Sequence, residues 1–342
     1  MKFSALIPAA TLCFVVALYA TPARAGVAQP AAQSSPVQTE TPSPVVSQGF
    51  ALIKAGKTTE ALALLNDYLK TNPGDFRALI VRGLAYQRQN QNVQARDDFE
   101  TVLAIHPEME PVQFLDCDVL YRLRRLDDSI AACSKAIALD STDSAAYDQR
   151  ALSLDAKDDA SHEALAISDV DRSIQLHPSA WAYGERCELK LELKRNADAL
   201  PDCEKSLELD ANGADGWVWI QRGKLALDAK EYSTASNAFS KAIENNTTVG
   251  YAYVLRAQAK EGLGQYAAGL DDVNHYLAQN PGVSSAYLER AKIELKLGKA
   301  QDARADAQRA LAEARGVKKA DDIAAATAFL QQLPSADPGT SK

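Results

Sequence analysis

The sequence predicts an all-α chain, a solenoid of about eight helix-turn-helix units closed by a C-terminal helix. Three observations predict it. A small residue recurs at Gly49, Gly83, Cys117, Ala151, Cys187, Gly223, Ala257 and Ala291, with successive spacings of 34, 34, 34, 36, 36, 34 and 34. A second small column, Ala61, Ala95, Ser129, Ala166, Ala199, Ala235, Gly269 and Ala303, follows 12 residues later in seven of the eight units. Helix breakers at Pro73, Pro107, Pro178 and Pro281 close several of the units.

Composition agrees with a folded chain long enough for two domains or one extended array: 342 residues, 46% hydrophobic and 24% charged. The net charge of −8 argues against a general nucleic-acid binder, which must neutralise phosphates. The four histidines, His106, His162, His177 and His275, stand singly, so neither a metal nor another cofactor is expected.

Residues 1–25 read as a signal peptide. Met1 and Lys2 form a short positive start, Phe3 to Ala20 is almost uninterruptedly apolar, and Ala23-Arg24-Ala25 offers a small-x-small cleavage pattern after Ala25. An uncleaved anchor is the competing reading, but Pro8 interrupts the run and the cleavage pattern follows at once. The residues before Cys13 lack the small neighbour of an acylation site. Residues 26–41, rich in Ala, Pro, Ser, Gln and Thr, read as a flexible tether. Nothing later is apolar for long enough to span a membrane, and the Ala-rich leader looks bacterial, so the expected location is periplasmic or secreted.

Residues 42–317 hold the eight units. Each reads as two helices of about a dozen residues around a tight turn such as Ala55-Gly56-Lys57, Leu263-Gly264-Gln265 or Leu297-Gly298-Lys299. Four residues beyond the second column, one turn along the same face, stand Leu65, Phe99, Cys133, Val170, Cys203, Phe239, Val273 and Ala307. Small residues facing each other let the two helix axes approach closely. Trp219, Gly223, Tyr232, Ala235, Phe239 and Ala242 in one unit, and Leu79, Gly83, Tyr86, Ala95, Phe99 and Pro107 in another, carry a pattern that resembles the tetratricopeptide repeat. The resemblance implies a right-handed α-solenoid whose first helices form an inner face for a protein or peptide partner. In the fourth unit the small columns are 15 apart, so a three-residue insertion, expected as a turn bulge, lies within residues 157–163. Residues 318–334, with Ile323, Ala324, Leu330 and Leu333 on one face, read as a capping helix, and 335–342 as a disordered tail.

Three features could carry chemistry. Cys117 and Cys133 are 16 residues apart, and Cys187 and Cys203 repeat the interval. An antiparallel hairpin brings each pair close, and four cysteines permit three pairings, of which only this one stays within single hairpins. Four buried thiols acting as small hydrophobes are the alternative. The second feature is an arginine column, Arg82, Arg150, Arg186, Arg222, Arg256 and Arg290, matched by Asp98, Asp169, Asp202, Asp272 and Asp306 on the facing helix, with Ala238 opposite Arg222. The two units lacking Arg, with Gln48 and Asp116, also lack Asp. Matched presence points to structural pairs rather than to an anion site. The third is the inner face itself. Its candidate contacts are Phe50, Lys54, Ile80, Leu84, Arg88, Phe114, Tyr121 and Arg122, then Asp148, Asp155, Glu188, Glu192, Asp228 and Glu261, apolar and basic at first and acidic toward the middle.

The expected function is a non-catalytic scaffold. An accessory protein of cell-envelope assembly, sugar-binding or enzymatic, is the alternative, but the chain has no glycine-rich phosphate loop, nucleophile elbow or metal cluster to support it.

Overall fold

A computed structural model describes residues 43–212, 216–245 and 250–333. The expected signal peptide, tether and C-terminal tail lie outside the described residues. Seventeen helices and no strand occur among the described residues. They fall into two units, 1–176 and 177–342.

The first unit contains four hairpins: α1 (Pro44–Lys54) with α2 (Thr58–Thr71), α3 (Phe76–Arg88) with α4 (Asn92–Ile105), α5 (Glu110–Arg122) with α6 (Leu126–Leu139), and α7 (Ser144–Asp155) with α8 (Ala160–Leu176). The second contains α9 (Ala180–Glu192) with α10 (Asn196–Leu209), α11 (Trp217–Asp228) with α12 (Tyr232–Asn245), α13 (Tyr251–Gly262) with α14 (Tyr266–Gln279), α15 (Ser284–Lys296) with α16 (Ala300–Gly316), and a last helix, α17 (Ala320–Gln332). Within each unit every hairpin packs on the next, the first helices also touching one another.

Local sequence explains the boundaries. Side chains of Ser43, Asp75, Asp143 and Ser179 cap α1, α3, α7 and α9 by accepting from backbone N–H groups of the first turn. Every hairpin turn passes through a left-handed residue, at Gly56, Asn90, Arg124, Asp158, Lys194, Lys230, Gly264 and Gly298. Glycine adopts that conformation without strain, which is why only three of the eight turns announce themselves in the sequence.

Both small columns are buried, and their neighbours are chosen by volume. Gly49 packs on Leu65, and Gly83 and Gly223 each face the fully buried ring of Phe99 or Phe239. In the first unit the core runs through Val46, Ile53, Leu65, Val81, Phe99, Val102 and Val112. Smaller clusters continue it, Cys117, Leu120, Ala132 and Cys133 in the first unit and groups such as Val254, Ala257, Val273 and Ile293 in the second.

Two expectations are corrected. The insertion in the fourth unit does not bulge the turn. It is absorbed mainly as an extra turn at the start of α8, which has 17 residues where most second helices have 14. Asp159 starts that turn by accepting from the backbone N–H groups of Ser161 and His162, both at 3.1 Å. On α17, Ala324 is exposed, and the face turned inward is Ala326, Phe329, Leu330 and Leu333 against Leu288, Ala291, Ala303, Ala307 and Ala310.

Candidate binding face

The arginine column is a set of structural clamps. Arg82 donates to both oxygens of Asp98 at 2.9 and 2.6 Å, and Arg150 to Asp169 at 2.7 Å twice. Arg186 with Asp202, Arg256 with Asp272 and Arg290 with Asp306 repeat the fork. The third guanidinium nitrogen reaches back to the preceding hairpin: Arg82 to Asn66, Arg150 to Ser134, Arg256 to Ser240 and Arg290 to Asn274, at 2.9–3.1 Å. One side chain thus ties three helices together. A tyrosine ring lies beside each of the five arginines. The clamp hydrogen bond to its aspartate is the main influence raising the pKa of Arg82, Arg150, Arg256 and Arg290 further, so these cations are committed to the scaffold. Arg222, facing Ala238, turns to Glu204 of the preceding hairpin at 3.6 Å.

Sequence reasoning missed the second half of this arrangement. Lys190 and Lys260, each one turn beyond its arginine, donate to the same aspartates at 2.6 and 2.7 Å. Asn or Ser recurs 16 residues before five of the six arginines, which was the available signal for the backward contact; Ser206, before Arg222, donates instead to the Ala180 carbonyl. Carboxylates that neighbour each other in the sequence at Asp127-Asp128 are also engaged, Asp127 with Lys157 and Asp128 with Arg125.

Cys117 and Cys133 stand 5.2 Å apart at Cα, Cys187 and Cys203 5.3 Å apart, each pair joined as a disulfide across its own hairpin. All four are fully buried.

The predicted inner-face residues divide sharply. Phe50, Ile80, Leu84 and Phe114 are buried in the first unit's core, and Asp155 is only 3% exposed. Lys54 and Arg88 are exposed, Tyr121, Arg122 and Asp148 half-buried. Arg88 donates to the Ile53 carbonyl at 3.3 Å, and Arg122 and Gln87 both donate to Asp118, at 2.8 and 3.0 Å. Burial pushes Asp118 up and Asp148 up to about 7. The polar groups of this face are therefore largely occupied with one another.

Glu188, Glu192 and Asp228, three of the predicted residues, line one pocket of about 500 Å³ together with Leu191, Lys194, Asn196, Gln221 and Lys224. It lies between α9 and α11 and reaches the turn after α9. Asn196 donates to Asp228 at 2.9 Å and Lys224 to Gln221 at 3.3 Å. Glu261, half-buried on α13, is not part of it. Among the described residues no group of three His, Cys, Asp or Glu is placed to hold a metal ion, and no helix is long and apolar enough to cross a membrane.

Two stretches of the chain, residues 47–110 and 254–317, match the family model of the tetratricopeptide repeat. Those two stretches carry the tetratricopeptide repeat pattern. Solved structures share this fold at low identity. A chain of the APC/C hetero-tetramer Cut9-Hcn1 is similar with a TM-score of 0.61 and 15% identity, over 84% of the present chain and 55% of its own. The present chain thus spans about half the length of that relative. A tetratricopeptide repeat protein from Parabacteroides merdae is similar with a TM-score of 0.55 and 16% identity, over 75% of the present chain and 97% of its own. No curated protein matches the sequence. The first helices of the hairpins supply both buried core residues and the open pocket.

Proposed function

We propose that this tetratricopeptide repeat chain is an exported, non-catalytic scaffold that holds a protein or peptide partner on the faces of its first helices. The observation that carries the reading is the pocket between α9 and α11, where three carboxylates from two successive repeats converge beside the apolar Leu191. A pocket of that make-up fits a basic side chain of an extended partner segment, the carboxylates supplying charge complementarity and the lysines at its rim setting register. Export is supported by the leader-like residues 1–25 and by the two cysteine pairs, since an oxidising compartment preserves such bonds. The carboxylates and cations that could suggest catalysis are largely consumed in clamps.

The test is site-specific photo-crosslinking in intact cells. A benzophenone side chain at Glu192 or Asp228 should give a discrete protein adduct, whereas at Asp67 or Lys241, on exposed second-helix positions, it should not. Adducts only from the second-helix positions would overturn the reading, as would turnover of peptidoglycan fragments by the purified chain.

A further inference from the structure

Comparison of equivalent positions in the second unit singles out Glu294. One turn beyond the clamp arginine, α9 has Lys190 and α13 has Lys260, and each lysine adds a second cation to the clamp aspartate. On α15 the same position is Glu294. It places a carboxyl group where the other two hairpins have an ammonium, beside Asp306, which Arg290 already holds at 2.5 and 2.9 Å. Glu294 is 9% exposed, and its buried Oε2 has no hydrogen-bond partner.

The charged groups facing it are Asp306 and Asp302 from α16 and Arg290 on its own helix. From the other elements packed on α15, α14 gives Asn274 to Arg290, α13 has Lys260 committed to Asp272, and Asp322 of α17 is engaged by Ser284 and Lys319. Two carboxyl groups therefore share one guanidinium, and the arrangement is neutral overall only while one of them carries a proton. We infer that Glu294 makes the last hairpin and its capping helix a pH-sensitive end of the array: protonated, it leaves the Arg290–Asp306 clamp intact, and ionised, it repels Asp306 and loosens α16, on which α17 rests.

The consequence is specific to this end. The face that α17 covers on α15 and α16 is rich in alanine: Ala291, Ala303, Ala307 and Ala310, with Leu288 and Leu295, lie against Ala326, Phe329, Leu330 and Leu333. Alanines bury less apolar area per residue than leucines, so the cap depends on α16 keeping its place, and a charge that disturbs α16 reaches α17 through that face. Burial first, and Asp306 next, lift Glu294 to about 7 from an ordinary value of 4.5. The closed end therefore binds the proton more tightly than the opened one. Its stability is greatest below pH 4.5 and falls as pH rises to 7. From about a unit above that the group is ionised in both states and nothing further changes.

Amide hydrogen exchange over α15–α17, corrected for the intrinsic pH dependence, tests this on the full chain. Glu294→Gln removes the titration, and Glu294→Lys restores the arrangement of α9 and α13. Relative to Glu294→Gln, wild-type protection should fall by about 40-fold between pH 5 and pH 7 and level off near pH 8. Glu294→Lys should be at least as protected as Glu294→Gln at pH 8. Glu289, buried on α15 and pushed up mainly by that burial, is common to all three proteins and cancels in the comparison. Parallel profiles for wild type and Glu294→Gln would overturn the inference.

Discussion

Gly83 on α3 and Phe99 on α4 divide one volume between them: a Cβ on the glycine would stand 2.4 Å from the phenylalanine ring. The ring is fully buried, so it has nowhere to retreat. Gly83→Ala should destabilise the first unit through overpacking of roughly 1–3 kcal/mol, partly offset by up to about 1 kcal/mol of helix propensity. Urea unfolding measures the net loss. Adding Phe99→Leu should recover part of it, whereas Gly74→Ala, with nothing within 4 Å, should move the midpoint little. Additive losses from Gly83→Ala and Phe99→Leu would show that the two residues do not share the space.

Arg222 is the one column arginine without an aspartate opposite it, and it makes do with Glu204 at 3.6 Å. Ala238, 2% exposed, occupies the aspartate position. Burying a carboxylate is ordinarily costly by several kcal/mol. Here Ala238→Asp should be neutral or stabilising by about 1 kcal/mol, because it completes a bidentate clamp whose other half is already in place. Thermal unfolding decides it, and a loss beyond about 2 kcal/mol would mean that Arg222 cannot swing from Glu204.

The two disulfides sit in unequal surroundings. The α9–α10 hairpin also has the Arg186–Asp202 clamp with Lys190, while in α5–α6 the clamp positions are Asp116 and Ala132. Closing either loop is worth about 3 kcal/mol in the chain-entropy model. Reduction should therefore open α5–α6 well before α9–α10, read as hydrogen exchange helix by helix. Asp116→Arg with Ala132→Asp should restore protection to the reduced α5–α6. Equal loosening of the two hairpins on reduction would contradict this account.

How much of this was legible depended on whether the information was periodic. The hairpins, the clamp partners and the cysteine pairing all follow from columns separated by a fixed interval, because each column marks one place on one helix face. The inner face was less legible. Phe50, Ile80 and Leu84 share helices with exposed Lys54 and Arg88, and Phe114 shares one with half-buried Arg122, but periodicity assigns a face without saying how far the next helix covers it. The turn geometry was hidden for a different reason. Arg124, Lys194 and Lys230 adopt the left-handed conformation that Gly56 and Gly264 advertise, and side-chain identity there reports tolerance, not requirement. Lys190, Lys260 and Glu294 were missed because their meaning lies in a comparison between repeats, visible once the aspartate they face is known.

Asp116 stands where other repeats have arginine, is 8% exposed, and has a buried Oδ1 without a partner. Burial pushes it up to about 6 from an ordinary 3.8. A raised carboxyl pKa means that the folded state holds the proton more tightly than the unfolded one, so the penalty of ionisation grows as pH rises from 3.8 to 6 and is constant above. Asp116→Asn carries no such penalty. The stability difference in its favour should be smallest near pH 4, increase through pH 5 and 6, and reach about 1–3 kcal/mol at pH 7, measured as urea midpoints at each pH. A difference independent of pH would place the ionised Asp116 in contact with a cation, with Arg96, whose Nε is also buried and unpartnered, as the nearest candidate.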